Sequence, residues 1–271
     1  MLPVGRLTLS AMPRPAAALR TTLASVWTWG LLAVFLVLVF PFVLLWRLIG
    51  WPVDRINYIG GRLFRLAGVW CASLTPRWSF TVRGERPADP RHPYVVVANH
   101  ESFADMLLLC HLPWEMKWLS KVEIMRIPIL GWLMWAARDI GVKRGRTASA
   151  KEAMAACRDR LAGGVSVMIF PEGTRSPSRE LLPFKDGAFR LAMDADVPIL
   201  PLAIHGTRHA IARHDWRINP AFAVVEILAP EPTRGVTNVD ELKARVKQRI
   251  EDARDRLRLE RESPRRETLP L

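Results

Sequence analysis

The chain has 271 residues, half of them hydrophobic, and its 39 Lys and Arg outnumber 26 Asp and Glu for a net charge of +13. That length suits one large domain or one domain with appendages, while three scattered cysteines (Cys71, Cys110 and Cys157) form neither a CxxC nor an even set and argue against a disulfide framework or a zinc site. Residues 1–70 hold seven Arg and one Asp beside the most apolar segment, which points to anionic membrane lipids as partners and not to nucleic acid, for which no motif is present.

In chain order, residues 1–22 carry Arg6, Arg14 and Arg20 among scattered Pro and Ala and read as a basic flexible arm. Residues 23–50 read as a membrane segment. Within it Ala24 to Trp46 run without a charge, about 34 Å as a straight helix and enough to cross a bilayer. Trp27, Trp29, Trp46 and Trp51 bracket the run as interfacial anchors do. It is too long for a signal peptide, lacks a small-residue cleavage site, and is apolar on every face, unlike a core helix. Two forms fit: an apolar membrane helix, or a re-entrant hairpin turning near Pro41. Basic flanks on both sides favour the hairpin, which keeps both on the cytosolic face. Ile56, Ile59, Leu63, Ala67 and Trp70 then recur at helical spacing, with Arg55, Arg62 and Arg65 on another face. They predict a basic amphipathic interfacial helix over 51–72, with a helix packed on the domain as the competing reading.

The central domain, 73–236, opens with a strand at Trp78–Val82 and a Gly/Pro/Asp-rich turn at 84–93. Tyr94-Val95-Val96-Val97-Ala98 is a buried strand that runs into Asn99-His100-Glu101-Ser102-Phe103-Ala104-Asp105. Ser102 is placed to N-cap a helix whose apolar face is Met106 to Leu109. His100 at a strand end and Asp105 in the next helical turn allow the carboxylate to reach back to an imidazole nitrogen. That fixes the tautomer and leaves the other nitrogen free to take a proton; a capping Asp beside an incidental His has the same spacing. Residues 113–135, with Trp114, Trp118, Trp132 and Trp135, suit a core helix, a wall for an apolar ligand chain, or a second membrane contact.

Lys143-Arg144-Gly145-Arg146 puts three cations beside a glycine, a composition suited to phosphate and shared by solvated loops. Ser149 and Glu152 form a capping box for a helix to about Leu161, stopped by Gly163-Gly164. Val165–Phe170 is another strand, broken at Pro171 into Glu172-Gly173-Thr174-Arg175-Ser176, a polar turn of the kind that gathers at strand ends in α/β folds. A helix over about 186–195 and strands at Ile199–Ile204 and Phe222–Leu228 follow. Over 237–260, Asn238 and Glu241 cap an amphipathic helix with Leu242, Val246, Ile250 and Leu257 on one stripe; the charged tail 261–271 reads as disordered. The fold class expected is α/β: a central, mostly β sheet flanked by helices.

NHESFAD at 99–105 and FPEGTRS at 170–176, with LPFKDGAF at 182–189, VPILPL at 197–202 and GTR at 206–208, resemble as a set the paired signatures of the glycerolipid acyltransferases (PlsC-like). Within that family the chain is most similar to 1-acyl-sn-glycerol-3-phosphate acyltransferases, over roughly residues 75–230. The resemblance implies transfer of a fatty acyl group from acyl-CoA or acyl-ACP (acyl carrier protein) to the sn-2 hydroxyl of lysophosphatidate, giving phosphatidic acid for phospholipid biosynthesis at the cytoplasmic face of a membrane. It implies His100 as general base oriented by Asp105, with no acyl-enzyme, no metal and no cofactor. It assigns Glu172 to positioning the acceptor, Gly173 and Thr174 to shaping the turn, and Arg175, with Arg144 or Lys143, to the acceptor's phosphate. Gly141 and Lys143 depart from the family's pattern around that cationic block, where Arg144 fits best. A different lysolipid acceptor remains open. So do two other classes: a lipid hydrolase or metalloenzyme using His100, Asp105 and His205, against which stands the lack of GxSxG, HExxH or a Cys–His pairing, and a non-catalytic membrane scaffold.

Overall fold

The two apolar runs that lead into the motifs become neighbouring central strands. In this computed structural model, which describes residues 15–89 and 91–262, β2 (Val95–Ala98) pairs in parallel with β5 (Ser166–Ile169), Val95 opposite Val167 and Val97 opposite Ile169. Both are buried along their whole length, because helices cover both faces; that is why they read as unbroken apolar runs. With β1 (Trp78–Gly84), β3 (Met116–Lys121), β4 (Ile140–Val142), β6 (Ile199–His205) and β7 (Ala221–Ile227) they form a seven-stranded sheet, order β1-β7-β6-β2-β5-β3-β4. Every pairing is parallel except β6 with β7. The fold is thus α/β, as expected, and the parallel β2 and β5 deliver the His100 and Glu172 turns side by side at the C-terminal ends of the strands.

Alternation along β2 splits the core. Val95 and Val97 pack with residues of α5 (Thr147–Ala162), α6 (Gly187–Asp194) and α7 (Val239–Glu262), whereas Val96 and Ala98 pack with α3 (Ala104–Leu109), Trp114 and Trp118. The segment 113–135 is not a core helix. It supplies β3, a 3₁₀ turn at Ile124–Arg126 and the short α4 (Leu130–Ala136). Ser149 does not form a capping box with Glu152: α5 starts at Thr147, and the Ser149 hydroxyl accepts from the Lys143 N–H at 3.0 Å, pinning the cationic turn to the helix. At α7 the expected cap does form. The Asn238 carbonyl accepts from the Asp240 N–H at 2.9 Å and its amide donates to Glu241 at 2.8 Å.

At the N-terminal side, α1 (Pro15–Ile49) is one continuous helix through Pro41, so the hairpin expected there does not form. Packing accounts for this: Val39 and Val43, on either side of the proline, are buried against Phe64 and Ala67 of α2 (Tyr58–Ser73) and Leu133 and Ala136 of α4. Those contacts hold the helix axis where one backbone N–H is missing. Ala18–Ile49 is long and apolar enough to cross a membrane. The basic interfacial helix expected over 51–72 is also corrected. Residues 51–57 are mainly turns, and α2 directs its arginines inward: Arg62 donates to the Leu112 carbonyl at 2.7 Å, and buried Arg65 pairs with Asp139 at 2.5 Å. Residues 15–22 of the expected flexible arm are helical, as are 261 and 262 of the expected tail; residues 1–14, with Arg6 and Arg14, and 263–271 lie outside the described residues.

Candidate active site

Asn99 continues the sheet past the end of β2. Its side-chain amide donates to the Ile204 carbonyl at 2.9 Å and its carbonyl accepts from the Ile204 N–H at 2.8 Å, which ties β2 to β6 and sets the height of the next residue, His100. Asp105, fully buried in the first turn of α3, gathers the turn around one oxygen. Its Oδ2 accepts from the Glu101 N–H at 2.8 Å and the Ser102 N–H at 3.0 Å, and lies 2.7 Å from His100 Nδ1. Thr207 Oγ1 donates to the other oxygen. A carboxylate oxygen already holding two donors selects the Nδ1–H tautomer of the neutral imidazole, leaving Nε2 unprotonated. The ring is stacked on Phe170, centroids 4.2 Å apart, which fixes its plane.

Glu172 braces the same turn from β5. Its carboxylate accepts from the His100 N–H at 2.8 Å and the Leu182 N–H at 2.9 Å, and burial raises its pKa against the pull of those donors. The carboxylate expected to position an acceptor therefore positions His100 directly. Gly173 has φ +70°, and a methyl group there would meet Lys185 Nζ at 2.8 Å, so the glycine lets that ammonium lie over the turn. Thr174 and Arg175 are half-buried, and Arg175 makes no ion pair or hydrogen bond among the described residues.

Two openings adjoin this centre. A cavity of about 480 Å³ is walled by Lys143, Arg144, Arg146 and Lys185, with Phe170 and Gly173 on its inner side. A narrow apolar one of about 90 Å³ runs between Leu36 of α1, Phe64 of α2, Phe103 and Met106 beside the His100 turn, and Met134 of α4. The structure thus brings His100, Asp105, Glu172 and Gly173 together and puts Lys143 and Arg144 in the neighbouring cationic cavity. Thr207 and Lys185 were not singled out from sequence. Both sit in motif-like runs, GTR and LPFKDGAF, whose individual roles no spacing reveals. Among the described residues no group of three or more His, Cys, Asp or Glu could hold a metal ion.

Residues 79–205, which span every one of these groups except Thr207 and the N-terminal walls of the narrow cavity, match the family model described as Acyltransferase. A protein of Schizosaccharomyces pombe named as an acyltransferase is 34% identical over 199 residues, 72% of this chain and 69% of that one. This chain belongs to the acyltransferase family. The acyltransferase is also 41% identical over 138 residues to a 1-acyl-sn-glycerol-3-phosphate acyltransferase of Chlamydomonas reinhardtii, covering 51% of this chain and 42% of the relative. Its structure resembles that of the 1-acyl-sn-glycerophosphate acyltransferase PlsC from Thermotoga maritima, with TM-score 0.74, 25% identity and coverage of 89% and 97%. The chain spans about half the length of the first curated relatives it matches. In this acyltransferase α7 lies wholly beyond the matched segment.

Proposed function

We propose that this acyltransferase moves a fatty acyl group from an acyl thioester, acyl-CoA or acyl-ACP, to the sn-2 hydroxyl of 1-acylglycerol-3-phosphate, forming phosphatidic acid. The observation that carries the reading is a His100 imidazole with Nδ1 held by Asp105, beside an apolar cavity on one side and a cation-walled cavity on the other. His100 Nε2 takes the hydroxyl proton as the acceptor oxygen attacks the thioester carbonyl. The tetrahedral intermediate then collapses, the C–S bond breaks, and the imidazolium returns the proton to the departing thiolate. A base placed so contributes about 10²–10⁴-fold, or about 3–5 kcal/mol. Because a thiolate leaves readily, no acyl-enzyme is needed. Lys143, Arg144, Arg146 and Lys185 supply charge-assisted contacts for the acceptor's phosphate, with Arg175 as a further free guanidinium nearby in sequence.

Membrane association follows from the outer face of the N-terminal helices. Trp27, Leu38, Phe42 and Leu45 of α1 and Trp132 and Trp135 of α4 are large, apolar and exposed. The opposite side of α1 is fastened to the domain along its length: Ser25 accepts from the Ile218 N–H at 2.8 Å, and Val43 is buried against α2 and α4. A helix bound lengthwise to a catalytic domain lies along the cytoplasmic leaflet with that domain, its lipid face outward. The test is thiol release from palmitoyl-CoA with each of a panel of lysolipids as acceptor. Lysophosphatidate is expected to give the highest kcat/KM, and equal turnover of lysophosphatidylcholine would remove the acceptor assignment.

A further inference from the structure

The reaction just proposed joins two phosphate-bearing substrates, and the cationic cavity beside β4 and β5 accounts for one. On the sheet's other side, where β6 ends next to β2, a second cavity of about 360 Å³ collects Arg179, Arg208, Arg254, Arg258 and Arg261. They come from three separate places: the loop after the Glu172 turn, the loop after β6, and α7 at positions 254, 258 and 261, which share one helical face. The bland alternative is the solvated side of an amphipathic helix. The rest of α7 shows what that looks like: Arg245 and Arg249 both pair with Glu231, and Arg256 with Glu226.

The cavity differs in having donors left over. Arg208 Nη2, Arg254 Nε and Arg258 Nε are buried without a hydrogen-bond partner, three of the six arginines so placed among the described residues. The partners these side chains do have are limited. Arg208 donates to the Ser176 carbonyl at 3.2 Å, Arg254 to the Arg179 carbonyl at 2.8 Å and to Glu101 at 3.3 Å, and Arg258 pairs with Asp255 at 3.2 Å. Buried guanidinium N–H groups without acceptors are costly unless a ligand supplies them. The field is strongly positive: burial together with Arg261, Arg254 and Arg258 holds the His205 imidazole down to about 4. The cavity is also joined to the reacting centre. Glu101, on its wall, follows His100 in sequence, and Thr207, between Gly206 and Arg208 of its lining, bonds Asp105.

We infer that this arginine cavity binds the phosphates of the acyl donor, specifically the 3′-phosphoadenosine diphosphate end of acyl-CoA. The assignment rests on the proposed reading for the thioester donor. The acceptor's phosphate is attached to the carbon next to the reacting one and so belongs in the cavity that Phe170 shares with the His100 ring. A carrier's phosphates lie a pantetheine arm away from the thioester and fit the separate cavity. Arg208 and Arg254, partly buried on the cavity wall, suit small phosphate groups, while an acidic carrier-protein surface calls for exposed cations free of acidic neighbours; here Asp255 and Glu262 share the lining.

The probe is adenosine 3′,5′-bisphosphate, titrated calorimetrically into the full chain in detergent. It is expected to bind, to compete with palmitoyl-CoA and not with lysophosphatidate, and to lose about tenfold or more in affinity in the R258A/R261A double variant. In that variant the KM for palmitoyl-CoA relative to palmitoyl-N-acetylcysteamine, which has no phosphate, should rise by a similar factor, with partial recovery in R258K/R261K. Absence of bisphosphate binding to the wild-type chain, an unchanged KM ratio, competition with lysophosphatidate, or inorganic phosphate binding as tightly as the bisphosphate would each overturn the inference. The titration needs no turnover, so a protein that binds the bisphosphate but does not acylate lysophosphatidate separates failure of the acceptor assignment from failure of this one.

Discussion

Two buried polar clusters stand on this sheet, one closed inside the core and one open toward the site. Around Lys117, two cations and two carboxylates close on one another. Arg65 lies 2.5 Å from Asp139 and 3.7 Å from Glu115, and Lys117 lies 3.1 Å from Glu115 and donates to the Asn57 carbonyl at 2.9 Å. Burial alone would lower the Arg65 pKa, but Asp139 and Glu115 outweigh it and raise it. Around Asp105 both carboxylate oxygens are bonded, and one of them holds one nitrogen of an imidazole whose other nitrogen has no hydrogen-bond partner among the described residues. The first cluster ties α2, β3 and the turn before β4 together and offers nothing outward. The second uses the same kind of bonding to hold one reactive atom still.

The largest expected effect breaks the closed cluster. Glu115→Ala leaves Lys117 buried with one fewer partner and should cost about 3–5 kcal/mol in denaturant unfolding, while the molecules that remain folded keep normal kcat. A loss under 1 kcal/mol would mean the network contributes little. At the open cluster, Lys185→Ala removes a charge from the acceptor side, and the KM for lysophosphatidate should rise about tenfold or more with that for palmitoyl-CoA unchanged. Equal rises in both would place Lys185 in the fold of the loop. Thr207→Val removes one donor to Asp105. Its kcat should fall about fivefold at unchanged KM for both substrates, with Thr207→Ser near wild type.

The smallest effect concerns pH. The folded-state pKa of His205, about 4, lies below the ordinary imidazole value under the influence of burial and of Arg261, Arg254 and Arg258, with Glu262 opposing. Its contribution to stability is therefore complete above about 6.5 and lost as pH falls toward 4. Melting temperatures measured from pH 7 to 4.5 should fall less in His205→Gln than in wild type, and parallel curves would show that the imidazole is not repelled.

The open cluster was far more legible in sequence than the closed one. Continuous apolar runs announced β2 and β5, and polar turns at their ends announced His100, Asp105 and Glu172, because local pattern and local role coincide there. Strand β3 was hidden: Met-Lys-Trp-Leu-Ser-Lys has no strand pattern, and Lys117 is at home in it only through Glu115, two residues before it, and through Asn57 and Asp139, brought in from distant segments. The same reason concealed the inward turn of Arg65, which helical spacing alone placed on a membrane face, and the role of Thr207, which reaches Asp105 across 102 residues. Pro41 misled in the other direction, since a local helix-breaking signal was overridden by packing on both its sides.

The most direct test of the central claim, that His100 is the base of an acyl transfer, is thiol release from palmitoyl-CoA by wild-type protein and His100→Ala, with and without lysophosphatidate. The wild type should release thiol only with acceptor present, mole for mole with phosphatidic acid. His100→Ala should fall by about 10²–10⁴-fold, with an unchanged melting temperature and normal recovery with vesicles. Near-wild-type release by the folded His100→Ala protein would contradict the account.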